Sequence, residues 1–312
     1  MKAYLQLMRP ANIITAIADI MAGFAVAVQS GITLDVERKG LDLTKIAYTY
    51  GIQASADYRD LLLLAFSTIG LYGGGVVFND VFDAGLDAIE RPERPIPSGR
   101  ATLTGAISLG SILLLIGIAA AFVVSVTSGT IAIAIAILAL SYNKFGKHHA
   151  ILGPINMGAC RGGNLLLGVS ATFGAVEQYW FIAFIPIIYI AAITTISRGE
   201  VHGGNSGALY LAFALYTIVI GSIIILTTQS KTTFWQVVPF LILFAFLIFP
   251  PLYKASQDRK PQNIGKAVKA GIIALIVMDA ALAAGFAGWV YALFILALLP
   301  VSRFLARTFA VT

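Results

Sequence analysis

Charge is what this sequence has least of. Lys, Arg, Asp and Glu together make up 12% of its 312 residues, where a soluble domain carries about a quarter. With 58% of residues hydrophobic, no soluble fold could cover the apolar surface, and the soluble classes are excluded. There is one cysteine, Cys160, so no intrachain disulfide can form. No low-complexity tract is present. No clear internal repeat appears, which argues against a transporter built from inverted halves. No small-residue cleavage site convincingly follows the first apolar run, which opens on Arg9-Pro10, so a cleavable signal is not expected.

What is present is a series of apolar runs, at about 10–29, 61–80, 103–125, 130–143, 150–172, 177–197, 207–228, 234–253, 265–285 and 287–304. Most reach the roughly 20 residues that a helix needs to cross the hydrocarbon core. In lipid they must be helices, because backbone groups find no water there. The last two runs read as two spans or as one long broken helix. The expected fold is therefore all-α, a polytopic transmembrane bundle of nine or ten helices. It forms a single domain over 1–312, with an extra-membrane insert at 29–60 between the first two helices.

The net charge is +6, a sign shared with nucleic-acid binders. Here, however, the basic residues sit in short loops between spans, which is the signature of membrane orientation. With the N-terminus inside and ten spans, 15 of the 21 Lys and Arg fall on the inner side. The bilayer is the expected partner, and nucleic acid is not. A cytoplasmic N-terminus and a bacterial inner membrane are the expected setting.

The strongest local signal is Gly73–Asp87. Asn79, Asp83 and Asp87 recur at i, i+4 and i+8, which on one helix forms a stripe, and Asp80 neighbours it. Oxygen-bearing side chains at that density suit a hard cation such as Mg²⁺, which takes one or two carboxylates plus phosphate oxygens. Juxtamembrane acids are costly without a function. The segment Glu90–Arg100 follows, with three prolines that forbid helix. It holds Arg91 and Arg94 close to the acids, and arginine pairs bidentately with phosphate. Arg161 lies inside a span and must face the bundle, where it is a candidate to bind the substrate's diphosphate or to pair with an acid, Asp19 or Asp279. The glycine runs Gly73–Gly75 and Gly162–Gly163 read as close helix packing.

The stretch Asn79-Asp80-Val81-Phe82-Asp83-Ala84-Gly85-Leu86-Asp87, followed by Arg91-Pro92-Glu93-Arg94-Pro95, resembles the first aspartate motif of the UbiA superfamily of intramembrane prenyltransferases. Arg9-Pro10-Ala11-Asn12 resembles that family's opening. Tyr142 with Lys144 and Lys147 resembles its Tyr…Lys motif. The resemblance implies helices around a central cavity, prenyl diphosphate as donor, Mg²⁺ on the diphosphate, and transfer to a lipophilic acceptor. It places Asn79, Asp80, Asp83 and Asp87 on the metal, and Arg9, Asn12, Tyr142 and a lysine about the pocket. Asp83, Asp87, Tyr142 and Glu200 become the catalytic candidates, with Glu200 also a metal candidate.

One motif departs from the family. Where a second aspartate motif is usual, the chain reads Ser197-Arg198-Gly199-Glu200-Val201-His202-Gly203-Gly204-Asn205. Ser197 and Gly204 stand at expected aspartates, and one carboxylate, Glu200, remains. Arg198 is a candidate to bind diphosphate directly in place of a second metal. With the closing Phe309-Ala310-Val311-Thr312, this variant most resembles the EboC branch. The sequence thus reads as a Mg²⁺-dependent prenyltransferase. The alternative is a non-catalytic prenyl-lipid binder or carrier with a degenerate second motif.

Overall fold

A computed structural model describes residues 2–37, 57–146, 149, 152–199, 205–227 and 231–308. Among these residues the chain is helical throughout. In order, the elements are α1 (Lys2–Met8), α2 (Pro10–Glu37), α3 (Tyr58–Phe82), α4 (Ala84–Glu90), α5 (Leu103–Val124), α6 (Val126–Lys144), α7 (Leu152–Val169), α8 (Ala175–Tyr179), α9 (Phe184–Ser197), α10 (Ser206–Thr227), α11 (Lys231–Gln257), α12 (Pro261–Leu296) and α13 (Leu298–Thr308). Most of the 29–60 insert lies outside the described residues.

Eight stretches are long and apolar enough to cross a membrane. Two features raise the number of crossings above eight among the described residues. α7 holds Arg161 and two asparagines, which lower its hydropathy, yet it packs between α2, α6 and α9 inside the bundle. The stretch Pro261–Thr308 also breaks at Gly288, where φ is 83° and ψ is 169°. Tyr291 beyond it donates to the Met21 carbonyl at 3.0 Å, and Ser302 donates to the Ala11 carbonyl at 3.0 Å. The chain therefore turns back, and residues 289–308 run along α2 as a separate arm.

Local signals explain most boundaries. Arg9 precedes a proline, which disfavours the α region, and its φ of 48° separates α1 from α2. α5 and α6 are joined by one residue: Ser125 is extended, and its side chain accepts the Ser128 amide. The expected span at 130–143 thus begins four residues earlier. Ser128, buried, bonds Ser170 just beyond α7, while exposed Thr130 bonds the Thr127 carbonyl of its own helix, so both hydroxyls are satisfied with the helix extended. The expected run 177–197 is divided into α8, a 3₁₀ turn at Trp180–Ala183, and α9.

Two apolar cores share α2 and α7. One lies among α2, α3, α5, α6 and α7, with Phe24, Leu64, Leu71 and Leu167 buried in it. The other lies among α2, α7 and α9 to α12, with Tyr189, Tyr216 and Phe244 at its centre. The shared helices cross at a glycine pair. A Cβ at Gly23 would overlap the Leu165 carbonyl, and one at Gly168 would overlap the Ile20 carbonyl. Gly74 and Gly162 likewise meet backbone or side chain of neighbouring helices at under 3.0 Å, in keeping with the packing role read for the glycine runs.

Candidate active site

A cavity of about 440 Å³ opens between α2, α3, α6, α7, α9 and α12. Its walls are mostly apolar, with Leu71, Val76, Ile135, Ile190, Ile193 and Leu275 among them. Its polar residues come in two levels. Arg9, Asn12, Asn79, Tyr142, Asn143 and Ser197 stand towards the mouth, and Thr15, Thr68, Arg161 and Asn164 stand deeper.

The mouth is organised by arginine. Arg9 donates to Oδ1 of buried Asp80 at 2.8 Å, and the break at Arg9 is what lets α2 present it there. Arg94, from the proline-rich turn, donates to Oδ2 of Asp87 at 2.6 Å and stands 3.6 Å from Asp80 Oδ1. One guanidinium thus bridges two carboxylates that repel each other across the same gap. The turn is itself fixed by Arg100, which donates to Ser98 Oγ and to Gln6 of α1. Tyr4 of α1 meets Thr102, and hydrogen bonds from the Thr102 side chain, then its backbone, hold this exposed phenol below the usual range. Asn79 donates to Asn143 Oδ1 at 3.2 Å, and Asn143 in turn donates to the Gly75 carbonyl.

The acid stripe is not straight. α3 ends at Phe82, and Asp83 caps it with its amide shared between the Asn79 and Val81 carbonyls. Asp87 lies on the next helix, α4. Asp83 is close enough to Tyr142 to act on it electrostatically. Among the described residues no three His, Cys, Asp or Glu side chains converge as a ready metal cage. The carboxylates converge on Arg94 instead.

The deeper level is a buried polar cluster. Arg161 approaches Asp19 Oδ2 at 3.2 Å, donates to Thr15 Oγ1 at 3.0 Å, and its guanidinium stands 5.9 Å from the Tyr72 ring centre. Asn164 donates to Asp19 and to the Ala16 carbonyl and accepts from Thr68. Asp279 of α12 lies against Asp19.

Other candidate residues are placed apart. Arg91 is exposed and ends α4. Lys144 is exposed, with its ammonium 5.1 Å from the Phe145 ring centre. Arg198 is exposed and lines a separate hollow with Asn205 and Leu209, while the neighbouring Ser197 lines the main cavity. Lys147, His148, Glu200, His202, Gly204 and 309–312 lie outside the described residues. Sequence reasoning missed Thr15, Thr68, Tyr72 and Asn143. Thr15 was findable, since it lies between Asn12 and Asp19 on one face of α2. Asn143 carries no such signal.

The UbiA prenyltransferase family model matches residues 44–267. The chain belongs to the UbiA prenyltransferase family. Among curated relatives, digeranylgeranylglyceryl phosphate synthase of Methanosarcina mazei is 29% identical over 64% of this chain and 63% of its own. The match therefore spans less than two thirds of that relative. The synthase of Saccharolobus solfataricus is 28% identical over 80% of this chain and 77% of its own. The UbiA fold is shared with solved structures. A structure concerned with digeranylgeranylglyceryl phosphate synthase in membranes aligns with a TM-score of 0.63 at 21% identity, covering 91% of this chain and 97% of that one. A UbiA homologue from Archaeoglobus fulgidus, bound to GPP and Mg²⁺, aligns with a TM-score of 0.62 at 14% identity, covering 90% and 99%. The chain is an integral membrane member of this family, and its bundle is the family's.

Proposed function

We propose that this chain is a Mg²⁺-dependent prenyltransferase that takes a prenyl diphosphate and transfers its prenyl group to a lipophilic acceptor. The observation that carries this reading is the juxtaposition of an acid-and-arginine mouth with a mostly apolar cavity below it. Such a pair of environments fits a molecule with a charged head and a hydrocarbon tail.

The donor set at the mouth fits Mg²⁺. Asn79, Asp83 and Asp87 offer hard oxygen atoms, and Mg²⁺ needs only one or two carboxylates when phosphate and water complete its shell. The recorded arginine contacts use Oδ1 of Asp80 and Oδ2 of Asp87. When bound, the metal would supply positive charge against the diphosphate oxygens. Arg94 is placed to exchange a carboxylate for a phosphate, two acceptors that its planar fork matches equally. Arg9 keeps Asp80 directed at the same region. The apolar walls exclude water from the allylic carbon as its bond to oxygen breaks, and Tyr142 sits between Asp83 and the cavity.

Positive charge developing at that carbon and negative charge leaving with diphosphate are thus met by different walls. Pyrophosphate release from geranyl diphosphate, measured in detergent with and without Mg²⁺, tests the proposal. No release at any acceptor or metal concentration would refute it. The curated relatives carry the name digeranylgeranylglyceryl phosphate synthase, so a polyprenylated glycerol phosphate is the first product to seek.

The finer assignment to the EboC branch rests on Ser197 and Gly204 at the second motif. Those positions also support the second reading, a prenyl-lipid carrier that binds without turnover. Binding of geranyl diphosphate with no pyrophosphate released would favour it. The orientation we favour puts the mouth, with Arg9 and Arg94, on the cytoplasmic side of the membrane.

A further inference from the structure

We propose that Arg161 recognises the acceptor, and that the group it takes is an uncharged oxygen, a carbonyl or hydroxyl, rather than a carboxylate or phosphate. This inference rests on the transferase reading and narrows its acceptor class.

The argument begins with placement. Arg161 is 5% exposed and lines the cavity, and neither its Nη1 nor its Nε atom makes a hydrogen bond. A guanidinium N–H left without an acceptor inside an apolar wall is costly, and a ligand oxygen that reached it would remove that cost. The residue is also held in direction. Its Nη2 donates to Thr15, its Nε lies 3.2 Å from Asp19 Oδ2, and Asn164 donates to that same Asp19 oxygen. Thr15 lies six residues along α2 from Arg9, roughly 9 Å at the helical rise. Arg161 is therefore set well below the mouth that suits the diphosphate.

Charge then decides the kind of oxygen. The Arg161 charge is already matched by Asp19, and Asp279 adds a second carboxyl beside it. Among the described residues, Arg161 is the cation paired with Asp19. A carboxylate or phosphate arriving there would meet two acidic groups and no surplus positive charge. An uncharged oxygen accepts the free N–H without that repulsion. Tyr72, against the guanidinium, gives such a ligand an aromatic face to lie on.

The test uses three probes with one body: para-butylacetophenone, para-butylbenzoate and para-butyltoluene. Each is titrated calorimetrically into the purified protein in detergent. The ketone should bind about tenfold or more tighter than the hydrocarbon, the ratio expected of a hydrogen bond to a charged donor. The benzoate should bind no tighter than the ketone. In the double variant Arg161→Met, Asp19→Asn, which removes the charge pair together, ketone and hydrocarbon should bind alike. If the ketone keeps its advantage in the double variant, or the benzoate binds tightest in the wild type, the proposal is overturned.

Because the wild-type ranking alone discriminates, a variant that fails to fold does not rescue it. Geranyl diphosphate with Mg²⁺ is titrated in parallel. Equal binding of the three probes, with geranyl diphosphate still bound, sinks this inference and leaves the transferase reading standing. Loss of geranyl diphosphate binding in the wild type sinks both.

Discussion

The mouth turns on a few side chains. Asp83 caps α3 through its backbone amide and acts electrostatically on Tyr142, while Asp80 and Asp87 are tied to arginines. We expect Asp83→Ala to abolish pyrophosphate release while the protein stays inserted and monodisperse on size exclusion. Near-wild-type turnover would remove Asp83 from the metal site. Asn79→Ala should lower activity and raise the Mg²⁺ concentration for half-maximal rate, because it deletes one hard donor and frees Asn143. An unchanged Mg²⁺ dependence would leave Asn79 with the Asn143 contact alone.

Much of this was legible. Three acids at helical spacing and an arginine-bearing turn announced a site, and a buried Arg161 required an acidic partner that proved to be Asp19. The bridging role of Arg94 was not legible, because it depends on a turn of three prolines folding back by a path that spacing does not encode. The sequence also pointed to Arg198, whereas the structure puts Ser197 on the cavity wall and turns Arg198 to solvent. A one-residue difference along a helix rotates a side chain by about 100°, as 3.6 residues per turn require.

At the level of elements, glycine sets how closely helices approach. Gly23 and Gly168 let α2 and α7 touch backbone to backbone. Gly168→Leu should push them apart and lower thermal stability by roughly 1–3 kcal/mol, the usual cost of overpacking. A midpoint within error of wild type in a detergent melting assay would show that the crossing tolerates bulk. Gly288 turns the chain with a backbone that side chains rarely adopt. Gly288→Val should cost about 1–3 kcal/mol, the range for such strained residues, and the same melting assay reads it. The number and place of apolar runs gave the helices well, because length and hydropathy are local properties. The helix of the 130–143 run starts earlier, at Val126, where Ser128 bonds Ser170 across the bundle, a contact that no local pattern reveals.

For the molecule as a whole, the return of residues 289–308 along α2 puts both described ends of the chain on one face. In a Cys160→Ala background, a cysteine at Ser98 should react with a membrane-impermeant maleimide only from the cytoplasmic side. One at Gly174, at the opposite end of α7, should react only from the other side. The reverse pattern would invert the orientation. The membrane class was legible from charge scarcity alone. The division into two cores was not, since it depends on which helices α2 and α7 choose as neighbours.

The bond between Ser302 and the Ala11 carbonyl joins residues 291 positions apart. α2 also packs on α3, α7 and α12. α2 therefore cannot complete its contacts until residues 289–308 have been made. During synthesis its polar residues, Asp19 included, must wait in lipid or in the insertion machinery for partners that emerge much later. Such long-range closure is slow, and it leaves a nascent chain whose half-built wall is open to the membrane. Biogenesis of this protein should accordingly depend on an insertase or chaperone that shelters α2 until residues 289–308 arrive.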